Sequence, residues 1–191
     1  MPGSKGLYLR NPTTIKETRP YFLKPMSVRP EQPTDIDTIF QLTKTAFADH
    51  PIEPHTEHFI VNALRAAGAL TVSLVAETGG AVVGHIAFSP VGISDGSPDW
   101  YALGPVSVLP AFQRQGIGRA LIEEGLTRLK NLGAQGCVLV GEPDFYQRFG
   151  FAADPTLTVP GIPQEYILSQ TFNGPPAKGI VTHHPAFTAE N

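Results

Sequence analysis

Apolar positions change their period several times along the chain, and each change marks an element. Ser27-Val28-Arg29-Pro30 reads as a short first strand. Ile36, Ile39, Phe40 and Phe47 then recur at roughly helical spacing, with Thr34 as the expected N-cap. Pro51 and Pro54 break that pattern within residues 48–55. A second helix is predicted over Thr56 to Ala67, carrying Phe59, Ile60, Ala63 and Leu64 on one face, with Gly68 suited to its C-terminal cap. Strand-like runs follow from Leu70 to Glu77 and from Ala81 to Pro90, and Thr78-Gly79-Gly80 between them is a hairpin signal. After the turn Ser94–Pro98 another strand is predicted from Trp100 to Val108. Gly104-Pro105 should interrupt its ladder, because Pro105 has no N–H and glycine tolerates a bulge.

Beyond Pro110 a Gly-rich segment leads into a helix from about Gly116 to Leu132, with Ile117, Leu121, Ile122, Leu126 and Leu129 as its apolar stripe. Gly133 ends it, and Cys137 to Val140 reads as a buried strand, so this part forms a strand–turn–helix–strand unit with a parallel neighbour. A short helix over Pro143 to Phe149 comes next, and the Pro-rich remainder holds a few short extended pieces. Residues 1–25 carry no sustained apolar period and end just before a second methionine, Met26. They are expected to be an extension outside a single domain spanning 26–191, although Tyr21-Phe22-Leu23 could dock on a neighbouring surface.

Composition narrows the function classes. With 14 Lys and Arg against 17 Asp and Glu, the formal charge is −3, which gives no reason to expect a nucleic-acid or membrane-surface partner. No run approaches a membrane span. The one cysteine, Cys137, lies in an apolar run and is expected to be a buried thiol in a reducing, cytoplasmic setting.

The segment Gln113-Arg114-Gln115-Gly116-Ile117-Gly118 carries the chemistry that can be read locally. It joins a strand ending at Val108 to the start of a helix, where first-turn N–H groups lack intrahelical partners and the helix dipole adds positive charge. Glycines at 116 and 118 leave the backbone open to a pyrophosphate, and Arg114 and Arg119 can neutralise its charge. Taken alone, such a turn also occurs wherever a Gly-rich segment starts a helix. Neither a P-loop nor the dinucleotide-binding glycine pattern fits, since Leu121 stands where the latter's third glycine belongs.

Two longer blocks are more specific. The block Leu103–Ile122 resembles the acetyl-CoA signature of the GNAT superfamily of N-acetyltransferases, (Gln/Arg)-x-x-Gly-x-(Gly/Ala), with its preceding bulged strand. Phe145-Tyr146-Gln147-Arg148-Phe149-Gly150-Phe151 resembles that superfamily's later Tyr-x-x-x-Gly-Phe element, and residues 179–187 resemble the tail of a YhbS-like bacterial branch. The resemblance implies an α/β (α+β) GNAT fold: a mixed, mostly antiparallel central sheet, splayed between strands 4 and 5, with flanking helices. It implies acetyl-CoA as cosubstrate, its pantetheine arm lying along Val106-Ser107-Val108 and its pyrophosphate on the N–H groups from Gln113 to Gly118. An N–H near the bulge would polarise the thioester carbonyl, and Tyr146 would protonate the departing thiolate. The alternative role for Tyr146 is aromatic packing.

The base is not legible. Asp99, Glu77, His85, Glu142 and Glu57 are candidates, with His85 inside a strand reading first as a hydrogen-bonded core histidine. The segment Asp49-His50-Pro51-Ile52-Glu53-Pro54-His55-Thr56-Glu57-His58 is dense in metal-ligand types. It falls in the interhelical loop that borders the acceptor in the superfamily, so no metal is expected. His183-His184 reads as a tail strand element. The acceptor is expected to be a primary amine on a small molecule or protein. A non-catalytic CoA-binding regulatory module, and an acyltransferase using a longer acyl-CoA or an acyl carrier protein, are the alternatives. A homodimer is common in the superfamily and is left open.

Overall fold

The computed structural model describes residues 25–49 and 55–190. The expected extension, apart from Pro25, and the docking idea for Tyr21-Phe22-Leu23 lie outside the described residues. The elements run β1 (Ser27–Pro30), a 3₁₀ turn (Pro33–Asp35), α1 (Ile36–Phe47), α2 (Glu57–Ala66), β2 (Val72–Thr78), β3 (Ala81–Ile93), β4 (Trp100–Val108) and α3 (Ile117–Asn131). They continue with β5 (Gly136–Val140), α4 (Pro143–Tyr146), the two-residue strands β6 (Ala152–Ala153) and β7 (Leu157–Thr158), β8 (Ile167–Thr171) and β9 (Gly179–Thr182). The main sheet is ordered β1-β2-β3-β4-β5-β8-β6. Of these neighbours only β4 and β5 are parallel, as the helix α3 between them requires, and the rest are antiparallel.

Local chemistry explains most boundaries. The β2–β3 turn closes in two residues, Gly79 and Gly80, both with positive φ, which is the geometry that matches strand twist. Three expectations shift. Thr34 does not cap α1; Asp35 ends a preceding 3₁₀ turn, accepts from Gln32 N–H at 2.7 Å and pairs with Arg29 at 2.7 Å, so the carboxylate organises this start. β2 begins at Val72, not Leu70, because Gly68 and the segment after it still close α2. β3 continues past Pro90 to Ile93, where it pairs with β9, a partner that lies far along the chain.

Neighbouring β2 residues point to opposite faces, which sets the layers. Leu74 packs with Ile86, Phe88, Leu121, Ile122 and Leu129 beneath α3, whereas Val75 packs with Ile39 of α1 and Val61 of α2. Helix α3 seats closely because Gly125 has no Cβ; one built there would stand 2.3 Å from Cε2 of Phe88. Cys137 is buried in this core, and burial raises its thiol pKa, so it is a packing group. No helix among the described residues is long and apolar enough to cross a membrane.

Candidate active site

The site begins where a ladder stops. β4 pairs with β5 at Trp100↔Gly136, Tyr101↔Cys137 and Ala102↔Val138, and the parallel register goes no further. On the other side β4 remains paired to β3, but the register shifts between Ile86 and Phe88, so that Leu103 and Val106 face them with Gly104 and Pro105 bulged between. The Gly104–Pro105 peptide is cis. The expected interruption is therefore present, and it opens the sheet between β4 and β5. Leu109 N–H donates to Val83 of β3 at 3.0 Å. Because N–H and C=O groups alternate sides along a strand, those of Val106 and Val108 face the opening. The intervening Ser107 turns inward and its hydroxyl donates to Thr43 Oγ1 of α1 at 3.3 Å.

The mouth of the opening is the turn before α3. Arg114 has φ 59° and Gly116, the N-cap, has φ 84°, so two left-handed residues bend the chain and gather its N–H groups. Gln113 Nε2 donates to the Val108 carbonyl at 3.1 Å and Gln115 Nε2 to the Ala111 carbonyl at 3.1 Å, which ties the turn to the strand. Nothing stands within 4 Å of a Cβ built on Gly116, and the nearest atom to one on Gly118 is Val108 Cγ2 at 3.8 Å. Gly118 also has ordinary helical φ, so the chain's own packing does not require glycine there. The space a side chain would fill is left open beside unpaired helix N–H groups, which fits a phosphate ligand. Arg119 reaches along the helix to Glu123 at 2.8 Å and is well exposed; Arg114 is exposed on the turn itself.

Across the opening, Tyr146 ends α4. Its ring is half-buried among Phe145, Phe151 and Phe149, with centroids at 4.9, 6.1 and 6.4 Å. It lies on the backbone of Gly141, the residue after β5. Burial, with a smaller contribution from Cys137, pushes its phenol up to about 12, so it is neutral over the whole physiological range. Both readings of Tyr146 thus have a structural basis: the ring packs, and the hydroxyl is kept protonated.

Comparison with known proteins decides the family. The sequence profile of the Acetyltransferase (GNAT) family matches residues 36–151. The chain belongs to this family. It is 34% identical over 171 residues to the Uncharacterized N-acetyltransferase YhbS of Escherichia coli (strain K12), covering 85% of this chain and 98% of that protein. A GNAT family acetyltransferase from Brucella melitensis, solved in complex with acetyl-CoA, superposes with a TM-score of 0.77 at 48% identity over 85% of this chain and 98% of its own. Escherichia coli YhbS, solved in complex with CoA, superposes with a TM-score of 0.76 at 31% identity over 87% and 93%.

Within this GNAT domain the base candidates are dispersed. His85 is fully buried on β3; its Nε2 lies 2.8 Å from Ser73 Oγ and 3.7 Å from Glu31, and burial lowers its pKa, so it is neutral. Glu77 is held by Arg29 at 3.1 Å, and Asp99 sits at the paired end of β4, away from the opening. Glu142 is exposed before α4. Glu57 Oε2 and His58 Nδ1 are buried at the start of α2 and have no hydrogen-bond partner among the described residues. His58 stacks between Phe40 and Phe59, at 4.7 and 4.1 Å. His50 and Glu53 lie outside the described residues, among which no group of three or more His, Cys, Asp or Glu is placed to hold a metal ion. His183 and His184 are not in a strand: they follow β9, with His183 against the Phe187 ring at 4.7 Å and His184 Nδ1 accepting from Ala186 N–H at 3.1 Å. A cleft of about 630 Å³ lies at the opposite edge of the sheet, lined by Glu31, Arg65, Ser73 and Arg128 among others, and none of the predicted site residues borders it. Two features escaped sequence reasoning. These are the Glu31–Arg65–Ser73–His85 network and the seat of Tyr146 on Gly141, and both depend on how distant elements meet.

Proposed function

We propose that the protein is an N-acetyltransferase that binds acetyl-CoA in the β4–β5 opening and transfers the acetyl group to a primary amine by direct attack in a ternary complex. The observation that carries this is the opening itself. Its strand edge turns the main-chain groups of Val106 and Val108 toward a gap that has the α3 N-terminus at its mouth, and the Tyr146 ring packs at Gly141, just beyond the end of β5. The Brucella and Escherichia coli structures, solved with acetyl-CoA and CoA, support the same ligand here.

Each part then has a task. The pantetheine amides add to the β4 edge as a short strand would, using the open groups of Val106 and Val108, with Ser107 fixing the strand to α1 from behind. Gln113, now bonded to the Val108 carbonyl, yields that acceptor or shares it. The pyrophosphate rests on N–H groups from Arg114 to Gly118, the expected Gln113 N–H being taken by the Pro110 carbonyl at 3.3 Å, with Arg114 and Arg119 supplying countercharge; Arg119 exchanges its exposed pairing with Glu123 for the phosphate. A neutral amine attacks the thioester carbon, an N–H at the bulge stabilises the charge developing on oxygen, and Tyr146 gives its proton to the sulfur as the C–S bond breaks; the nitrogen releases its extra proton to water, from which the Tyr146 phenoxide is reprotonated.

The test is to follow CoA thiol release with acetyl-CoA and a panel of small primary amines, amine-bearing peptides and hydroxyl-only analogues. Amine-dependent release, absent with the hydroxyl analogues, is expected. Release that no amine stimulates, from protein that binds CoA, would leave a CoA-binding module without transferase activity.

A further inference from the structure

Gly141 follows β5, and its N–H donates to the Tyr166 carbonyl at 3.0 Å, so the strand's hydrogen bonding continues through it. Its φ is not in the left-handed region, and nothing in the backbone calls for glycine. What excludes a side chain is Tyr146. A Cβ on Gly141 would stand 2.5 Å from Cε2 and 3.1 Å from Cδ2 of the ring, with Leu139 Cδ1 at 3.2 Å closing the other side. The first of these is far inside van der Waals contact. The ring's other neighbours, Phe145, Phe149 and Phe151, are themselves large and close, so the tyrosine has no equivalent seat to move to.

We propose that Gly141 is a positioning residue for the transfer reaction: its missing side chain is the seat that lets an edge of the Tyr146 ring pack against the end of β5 and so sets where the phenol stands at the opening. The proposal rests on the reading of Tyr146 as the proton donor. Any substituent at 141 displaces the ring edge, and the hydroxyl at the far end of the ring moves with it. A displacement of about 1 Å at a reacting group lowers turnover by roughly 100-fold. Gly141 follows β5, on the side of the opening away from the α3 turn, so donor binding at that turn is expected to be left intact.

The experiment is a cycle of variants read by turnover and by thermal midpoint. Gly141→Ala is expected to lower kcat roughly 10- to 100-fold, with KM for acetyl-CoA within about twofold of wild type. It should also lower Tm by about 3–10 °C through overpacking. In a Tyr146→Phe background the ring carbons remain but the hydroxyl is gone. Gly141→Ala should there still lower Tm while costing no further kcat. In a Tyr146→Ala background the main obstruction is removed, and Gly141→Ala should lower Tm by much less, the remainder coming from Leu139 Cδ1 at 3.2 Å. If Gly141→Ala alone does not fold, the double variant with Tyr146→Ala should. Wild-type kcat in Gly141→Ala, or a Tm loss as large with Tyr146→Ala as without it, would overturn the proposal. Wild-type turnover in Tyr146→Phe alone is a different result, one that removes the proton-donor reading on which this proposal depends.

Discussion

The two faces of the sheet treat their polar groups in opposite ways. On the α1/α2 side, Arg65 donates Nε and Nη2 to the two oxygens of Glu31 at 2.8 and 2.9 Å, the Ser73 hydroxyl bonds the same carboxylate, and His85 completes the chain, with only its Nδ1 left unpartnered among the described residues. Burial would raise the Glu31 pKa, but bonds from Arg65, His85 and Ser73 outweigh it and hold the carboxyl well below its usual range. At the β4–β5 opening the chain instead declines bonds it could make. Pairing stops at Ala102, the turn before α3 bonds its Gln113 N–H to Pro110 but makes no further backbone bond among the described residues through the N–H groups of Arg114 to Gly118, and Gly118 leaves space that no neighbour fills. Saturated polar groups hold a structure together; unsaturated ones at an open edge are available to a ligand. The densest cluster of charged and titratable groups bonds to itself, and the proposed chemistry lies in the quieter region.

The comparison can be broken most severely at Tyr146. Tyr146→Phe is expected to lower kcat by roughly 100- to 10,000-fold with Tm nearly unchanged, the span of general acid catalysis. Wild-type turnover would return Tyr146 to packing alone. The opposite face should respond in stability and not in rate. Arg65→Leu leaves Glu31 partly buried without its partner and is expected to cost about 2–4 kcal/mol in denaturant unfolding, with kcat per folded molecule unchanged. The pH dependence sharpens this. A carboxyl whose folded pKa is depressed contributes stability above its unfolded pKa and loses it as pH falls through the folded value. The gap between wild type and Arg65→Leu should thus narrow below about pH 4.5, as Glu31 takes up its proton. A gap that stays constant from pH 7 to pH 3 would show that Glu31 is not the group involved.

Smaller effects separate the two walls of the opening. Gly118→Val places atoms where the phosphate is expected without touching the core, since Val108 is 3.8 Å from the new Cβ. It should weaken CoA binding by roughly 10- to 100-fold in calorimetry, with kcat at saturating acetyl-CoA preserved. Unchanged affinity would move the phosphates elsewhere. The smallest expected change is none: because burial pushes the Tyr146 phenol up to about 12, kcat should not fall through pH 10, where an ordinary tyrosine would be half ionised. A descending limb centred near pH 10 would place the phenol in an unperturbed environment.

What could be read in the chain and what could not divides along the same lines. The strand, bulge, turn and helix from Trp100 to Asn131 are contiguous, so Gly104-Pro105, Gly116, Gly118 and the apolar stripe declare themselves locally. Tyr146 was legible only through its resemblance to a family element, and its geometry adds the burial and the aromatic surround. The Glu31–Arg65–Ser73–His85 network joins residues 12, 34 and 42 positions apart, and no periodicity records such a meeting. Gly141 is five residues from Tyr146, yet its role appears only when α4 folds back onto the end of β5. The β3 extension was hidden by Pro90, which reads as a strand end; its partner β9 lies some 90 residues on. Thr34 was preferred as the cap on local propensity, and the Arg29–Asp35 pair supplied a stronger organiser one residue later.

The central claim, that the β4–β5 opening with the α3 turn is the acetyl-CoA site, is tested most directly by thermal unfolding with acetyl-CoA, CoA, NADP and ATP in parallel, for wild type and Gly118→Val. A ligand at 100 times its Kd adds about 2.7 kcal/mol, roughly 5–10 °C for a chain of this size. The account predicts such a shift for wild type with acetyl-CoA and CoA, little with NADP or ATP, and a smaller shift for Gly118→Val at the same concentrations. No shift with either CoA species at millimolar concentration, or an equal shift in the two proteins, would contradict it.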